Sequence, residues 1–170
     1  HHRDIQLFLE YKSSETRVHC FMDSAARVLC MIKDIDEPNL GVTLDFGHSI
    51  YAGETAAESV CLLQAHGVPY YIHINDNDKK WDWDLIPATR NLWDYLEMFF
   101  YLKEYKYEGW VTSDMSPTKL DPVKAFERTI AATNKVMSMA EGLDSEKLKG
   151  MMKDRKMLET LEWLEDQTLK

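Results

Sequence analysis

Residues 41–49 read GVTLDFGHS, and the order of those residues decides the fold. Gly41 to Asp45 alternate as a buried strand does, the strand ends on a carboxylate, and His48 follows three positions later beside Gly47. A strand that stays apolar until its last residue and then turns polar suggests an element whose C-terminal end opens into a site.

The pattern repeats in both directions along the chain. DIQLFLEYK (4–12) reads as a first strand, and SAARVLCMIKDI (24–35) follows with Ala25, Val28, Leu29, Ile32 and Ile35 at helical spacing. LGVTLDFG (40–47) is the second strand. A helix over 55–66 then turns Val60, Leu62 and Leu63 inward and stops at Gly67. PYYIHIND (69–76) is the third strand, followed by a long helix opened by Pro87 and carrying Leu92, Trp93, Leu96, Phe99, Phe100 and Leu102. GWVTSD (109–114) is the fourth. Asp121-Pro122 starts a helix with a side-chain cap and a proline at the first helical position, and that helix runs to about Gly142. Strict alternation of strand and helix predicts βα units on a parallel sheet. Residues 143–170 differ: they form a charged helical tail with Leu148, Met151, Met152, Leu158 and Leu161 on one side, expected to pack on the domain or to contact a subunit.

Composition narrows the function. With 170 residues, 45% of them hydrophobic, the chain holds one packed domain, here residues 1–142 with the tail appended. A net charge of −9 argues against a nucleic-acid partner, which needs clustered Lys and Arg. No run of membrane-spanning length and no charged-then-apolar leader is read in the sequence, so a cytoplasmic protein is expected. Cys20, Cys30 and Cys61 form no C-x-x-C pair, and Cys30 and Cys61 fall in apolar helical patterns as core fillers. The paired His1-His2 reads equally as a purification-tag stub or as native sequence.

Each strand delivers a metal-type ligand at its C-terminal end: Glu10, Asp45, His73 and Asp114. Their separations of 35, 28 and 41 positions are about one βα unit each, so in a parallel sheet all of them emerge at one rim. Three carboxylates and an imidazole with no local arginine repel one another at close range, and a divalent cation resolves that. Oxygen-rich ligation with one nitrogen suits Mn²⁺, Mg²⁺ or Co²⁺ better than a structural zinc. His48, Asp82 and Asp84 cluster near the same rim and are candidates for a second ion. Lys12 leaves its strand on the same face as Glu10, where an ammonium can stabilise negative charge developing on a substrate oxygen. Trp81, Trp83 and Trp110 suit a sugar-stacking face or ordinary packing. Asn75 and Asn77 suit supporting roles, and His19 and His66 read as structural.

The motifs LEYK, LDFGH, HINDND with WDWD, and GWVTSDMSP together resemble the xylose isomerase-like superfamily of TIM-barrel sugar isomerases and epimerases, most nearly its L-rhamnose isomerase-like members. The resemblance runs from about residue 5 to 137. It implies that Glu10, Asp45, His73 and Asp114 ligate a structural metal. It further implies that Asp45 bridges to a second ion held with His48, Asp82 and Asp84, and that Lys12 contacts the carbonyl side of the substrate. The implied reaction is metal-assisted aldose–ketose isomerisation of an open-chain sugar, with Mn²⁺ the preferred ion and catalytic roles for Lys12, His48 and Asp84. Keto-sugar epimerases of the superfamily use one metal and an acid/base glutamate pair at the strands of Glu10 and Asp114. The shorter Asp114 and the extra Lys12, Asp82 and Asp84 favour the isomerase. A nuclease of this fold is disfavoured by the charge and by the single histidine among the strand-end ligands.

A closed barrel of this type takes eight βα units and about 250 residues. The expected fold is therefore the (βα)4 half of a TIM barrel, resembling strands five to eight, with a C-terminal helical extension. The barrel half that supplies a ring-opening histidine and aromatic substrate walls lies outside it. Such a half implies a longer parent protein, a pairing with an N-terminal half-barrel or a second copy in a homo-oligomer, or a half-barrel that binds metal without catalysis.

Overall fold

The computed structural model describes residues 4–169, so His1 and His2 lie outside the described residues. Its sheet is built from β1 (Leu7–Glu10), β4 (Leu40–Asp45), β5 (Tyr70–Ile74) and β6 (Val111–Ser113), in that spatial order and parallel throughout. Between β1 and β4 come a short hairpin, β2 (Ser14–Glu15) with β3 (Val18–His19), and helix α1 (Ala25–Ile35). Helices α2 (Phe46–Tyr51) and α3 (Ala56–Ala65) follow β4, α4 (Leu92–Glu104) follows β5, and α5 (Pro122–Gly142) follows β6. The chain continues in α6 (Ser145–Lys153) and α7 (Met157–Thr168). The expected βα alternation is present, with a hairpin and the short α2 added. Among the described residues no helix is long and apolar enough to cross a membrane.

The elements form where local chemistry directs them. Ser24 caps α1 by accepting from the Arg27 N–H (3.3 Å), and Thr55 caps α3 from Glu58 N–H (3.1 Å), each worth about 1 kcal/mol. Gly67, at φ 62°, takes the left-handed conformation that ends the α3 unit. Asp121 caps α5 through Lys124 N–H (3.0 Å), with Pro122 opening the helix. At the far end of α5, the Lys103 ammonium donates to the carbonyls of Ala140, Glu141 and Leu143, which neutralises the negative helix terminus. Val42, Leu44, Ile72 and Ile74 pack against α1, α3 and α4 in one core with Val28, Val60, Leu63, Leu96 and Phe99.

Several expectations are corrected. The helix after β5 begins at Leu92 and not at Pro87, which is buried in the preceding loop. Ala88 adopts φ 60°, and the Arg90 and Asn91 N–H groups are bound to the Asp76 carboxylate, so no helix starts earlier. Cys30 is exposed on the outer side of α1, because Ala25, Val28, Leu29 and Ile32 take the face toward the sheet; Cys61 is half-buried. Ile35 and Trp93 are exposed, and Leu62 is only half-buried. The tail is two helices broken at Arg155 (φ 58°). Its Leu148 is buried, while Met152, Leu158 and Leu161 line an apolar groove of about 720 Å³ against Trp93 and Phe100 of α4.

Candidate metal centre

The strand register assembles the site. Asp45 lies opposite His73 across β4 and β5, and Glu10 closes β1 on the other side of β4. Asp114 follows β6 immediately, its N–H held by the Ile74 carbonyl (3.1 Å). One ligand atom from each of Glu10, Asp45, His73 and Asp114 falls within a single 4.8 Å cluster. His73 Nδ1 stands 3.1 Å from Glu10 Oε1, 3.4 Å from Asp114 Oδ2 and 3.9 Å from Asp45 Oδ2. An ion bound at about 2.0–2.2 Å in octahedral geometry places neighbouring donors about 3 Å apart and opposite donors about 4.3 Å apart, so these spacings fit a divalent cation. The four side chains could hold one.

The surrounding groups orient the ligands. The Tyr71 hydroxyl and His73 Nε2 are 2.8 Å apart. With Nε2 engaged by that hydroxyl, Nδ1 faces the carboxylates, hydrogen-bonded to Glu10 at 3.1 Å, and is the nitrogen a bound ion would take in place of that proton. Asp45 is fully buried, and burial pushes its carboxyl up to about 7 against the pull of His48. Asn75 Nδ2 donates to both Asp45 oxygens (3.2 and 2.9 Å), and the His48 N–H donates to Oδ1 (2.8 Å). Gly47 is required at this point, since a Cβ there would stand 2.0 Å from Asn75 Oδ1. Burial also works against the charge on Glu10, but the bonded His73 and the nearby His48 and Lys12 outweigh it, and the carboxyl is held below its ordinary value. His73 is raised by the bond to Glu10 and by the surrounding carboxylates, against the effect of its burial.

The second group lies beside the first. His48 Nε2 is 3.1 Å from Asp82 Oδ2, and Lys12 Nζ reaches the same oxygen at 2.9 Å and Glu15 at 3.1 Å. Burial opposes the ionised forms of both His48 and Asp82. Their mutual bond and the neighbouring charges win, lifting His48 to about 9 and holding Asp82 at about 2. Asp84 is raised by burial and by the charges of Asp82 and Asp114. Glu10, Lys12, His48, Asp82, Asp84 and Asp114 line one cavity of about 510 Å³. His48 Nδ1 and Asp82 Oδ1 are buried there without a hydrogen-bond partner, as expected where a ligand is to bind.

The sequence-predicted residues are thus gathered on one rim, in two unequal sets. The strand-end four converge as a ligand group; His48, Asp82 and Asp84 share the cavity without converging in the same way. The tryptophans do not line the cavity. Trp81 packs edge-on against Tyr51 (6.0 Å), Trp83 Nε1 donates to Asp78 (3.1 Å), and Trp110 is exposed. Phe21 and Met22 form its apolar side instead, and sequence periodicity carried no signal for them because they sit in the irregular segment after the hairpin. His66 caps the end of α3 with its main chain, its carbonyl accepting from Lys33, and His19 is exposed.

A parallel βα sheet that delivers three carboxylates and an imidazole to one rim has the architecture of a TIM-barrel half with a side-chain group that could hold a divalent ion. The sequence profile of the xylose isomerase-like TIM barrel matches residues 2–136, and the chain belongs to that family. The D-tagatose 3-epimerase-like protein of known structure is 28% identical, with TM-score 0.59 over 77% of this chain and 49% of its own. A xylose isomerase domain protein from Alicyclobacillus acidocaldarius, at 24% identity and TM-score 0.61 over 81% of this chain and 52% of its own, shares the fold. An uncharacterized protein of Methanocaldococcus jannaschii is 36% identical over 101 residues, 59% of this chain and 33% of that protein. The chain thus spans about half the length of those structures and a third of that relative.

Proposed function

We propose that this chain carries the metal centre of a divalent-metal-dependent aldose–ketose isomerase of the L-rhamnose isomerase-like type, acting on an open-chain monosaccharide. The observation that supports it is the array of Lys12, Asp82 and His48 beside the strand-end ligands in one cavity. Glu10, Asp45, His73 and Asp114 would hold the first ion, and Asp45, His48, Asp82 and Asp84 a second; Mn²⁺ is preferred, with Co²⁺ or Mg²⁺ as substitutes. When bound, such ions supply Lewis acidity at adjacent hydroxyl and carbonyl oxygens.

The chain's own residues do the rest. Lys12, whose ammonium is stabilised against partial burial by Asp82 and Glu15, stays charged and donates to the substrate carbonyl oxygen as negative charge grows there. Asp82 holds that ammonium in place. His48 and Asp84 take part in catalysis from the same wall of the cavity. Further βα units, from the same polypeptide or a partner, complete the barrel, and a homo-oligomer in the cytoplasm is the expected setting.

The D-tagatose 3-epimerase-like neighbour favours a second reading, epimerisation by proton transfer between carboxylates at the strands of Glu10 and Asp114. An aldose deuterated at C2 and a ketose deuterated at C3 separate the two. Full-length protein with Mn²⁺ should move the aldose's C2 deuterium to C1 without loss and leave C3 untouched; loss of the ketose's C3 deuterium to solvent supports the epimerase. Mn²⁺ binding with no turnover across a sugar panel leaves a metal-binding half-barrel.

A further inference from the structure

We infer that Asp76 and Asn91 are positioning residues, a buried clasp that sets the loop 77–91, and with it Asp82 and Asp84, separately from the strand-end ligands. The assignment of what the loop positions rests on the function proposed above; the clasp itself rests on geometry. Asp76 follows β5 and is fully buried. All of the partners that its carboxylate takes belong to the two ends of the loop. Oδ1 accepts from Asn77 N–H (2.8 Å) and from the Asn91 side chain, and Oδ2 accepts from Arg90 N–H (2.8 Å) and Asn91 N–H (3.3 Å). Its main chain pairs with Leu85 in both directions (2.9 and 2.8 Å), one residue beyond Asp84. Asn91 also donates to the Asn77 carbonyl (2.7 Å), joining the loop's first residue to its last.

The loop needs such a hold. It contains no glycine, yet Lys79, Asp84 and Ala88 adopt φ of 64°, 47° and 60°, a conformation disfavoured for residues with a Cβ. Strained backbone persists when its surroundings over-determine it, and it concentrates at functional sites. A carboxylate removed from water is stabilised by several donors at once, and here the donors are the loop itself. Capping α4 accounts for the Asn91 N–H alone, since Asn91 is the N-cap of that helix, and not for the bonds from the Asn77 N–H, the Arg90 N–H and the Asn91 side chain. From the loop the network continues through Asn77 Nδ2 to the Gly47 carbonyl (2.9 Å), next to His48. The clasp therefore registers Asp82 against both His48 and Lys12.

The test uses Asp76→Asn and Asn91→Ala in the full chain, with two readouts that require no turnover. Trypsin cleavage after Lys79 and Lys80, followed by mass spectrometry, reports loop opening. Mn²⁺ titration reports the strand-end site. Asp76→Asn should speed cleavage in the loop by roughly tenfold to a hundredfold, and Asn91→Ala less but in the same direction, with Mn²⁺ affinity at the strand-end site kept within about threefold. Where the parent enzyme turns over sugar, kcat should fall with that affinity unchanged. Unchanged cleavage in both variants overturns the inference, and so does a parallel loss of the strand-end site, which would make the pair general fold residues. If Asp76→Asn fails to fold, Asn91→Ala decides alone. A wild-type protein that turns over no sugar refutes the isomerase reading and leaves the cleavage result standing.

Discussion

The two sets of residues in the cavity are held by different physics. Glu10, Asp45 and His73 stand on adjacent parallel strands, with Asp114 directly after the next one, so the sheet ladder itself fixes their spacing. Asp82 and Asp84 stand on a loop shaped by side-chain hydrogen bonds and by three left-handed residues. The first set is built into the fold. The second is attached to it, and local opening of a loop is far less costly than opening a sheet.

Two substitutions should break that division most sharply. Asp45→Asn removes a ligand charge at the centre of the strand-end set and turns one of the two oxygens that accept from Asn75 into a donor, and should abolish Mn²⁺ binding by titration calorimetry, a loss of at least about a hundredfold. Retention of wild-type affinity would mean the cluster is not the metal site. Lys12→Met should leave that binding intact and, on the proposed function, lower kcat of the full-length protein by roughly a hundredfold to a thousandfold, since the donor proposed to meet developing charge is lost. Equal loss of Mn²⁺ affinity would show that Lys12 acts on the ion's site and not on substrate.

The same division explains what the sequence disclosed. Strand-end ligands were legible because side chains alternate with period two and βα units recur at nearly constant length, so Glu10, Asp45, His73 and Asp114 had to meet at one rim. The loop was not legible in that way. WDWD marked Asp82 and Asp84 as chemistry, but their placement depends on Asp76 and Asn91, which read as the end of the third strand and as part of the helix after Pro87. Pro87 looked like a helix start, and tertiary hydrogen bonds to Arg90 and Asn91 overrode it. Helix α2 escaped because six residues are too few for periodicity, and it contains Gly47, present for contact with Asn75. Asn75 read as a supporting group and Tyr71 did not, and the hydrogen bonds of the fold pair Asn75 with Asp45 and Tyr71 with His73.

Asn75→Ala sharpens the comparison from the other side. Its amide is the side-chain partner of both Asp45 oxygens, and losing an orienting group of this kind lowers metal affinity by about tenfold to a hundredfold. The clasp variants should leave the same affinity nearly unchanged. A tenfold effect from Asn75 beside none from Asp76 would separate the two sets energetically, and equal effects would merge them.

The smallest expected effect is in the pH dependence of metal-free stability. Asp45, His48 and His73 bind protons more tightly in the fold than in the unfolded chain, so each favours the folded state on the acid side and loses that contribution as pH rises, Asp45 through about 7 and His48 through about 9. Glu10 and Asp82 are depressed and act oppositely, but their contribution is lost only as pH falls below the ordinary carboxylate range. From about pH 5 to 8 the raised groups decide, and the melting temperature of the metal-free protein should fall by at least about 5 °C. Divalent metal reverses the trend, because it binds the deprotonated ligands and displaces their protons, so stabilisation by Mn²⁺ should grow across the same interval. Melting curves with and without Mn²⁺ at each pH test both halves. A metal-free melting temperature that rises with pH would mean that the buried carboxylate of Asp45 is already neutralised by its neighbours, and the site would then need no cation to hold its charge.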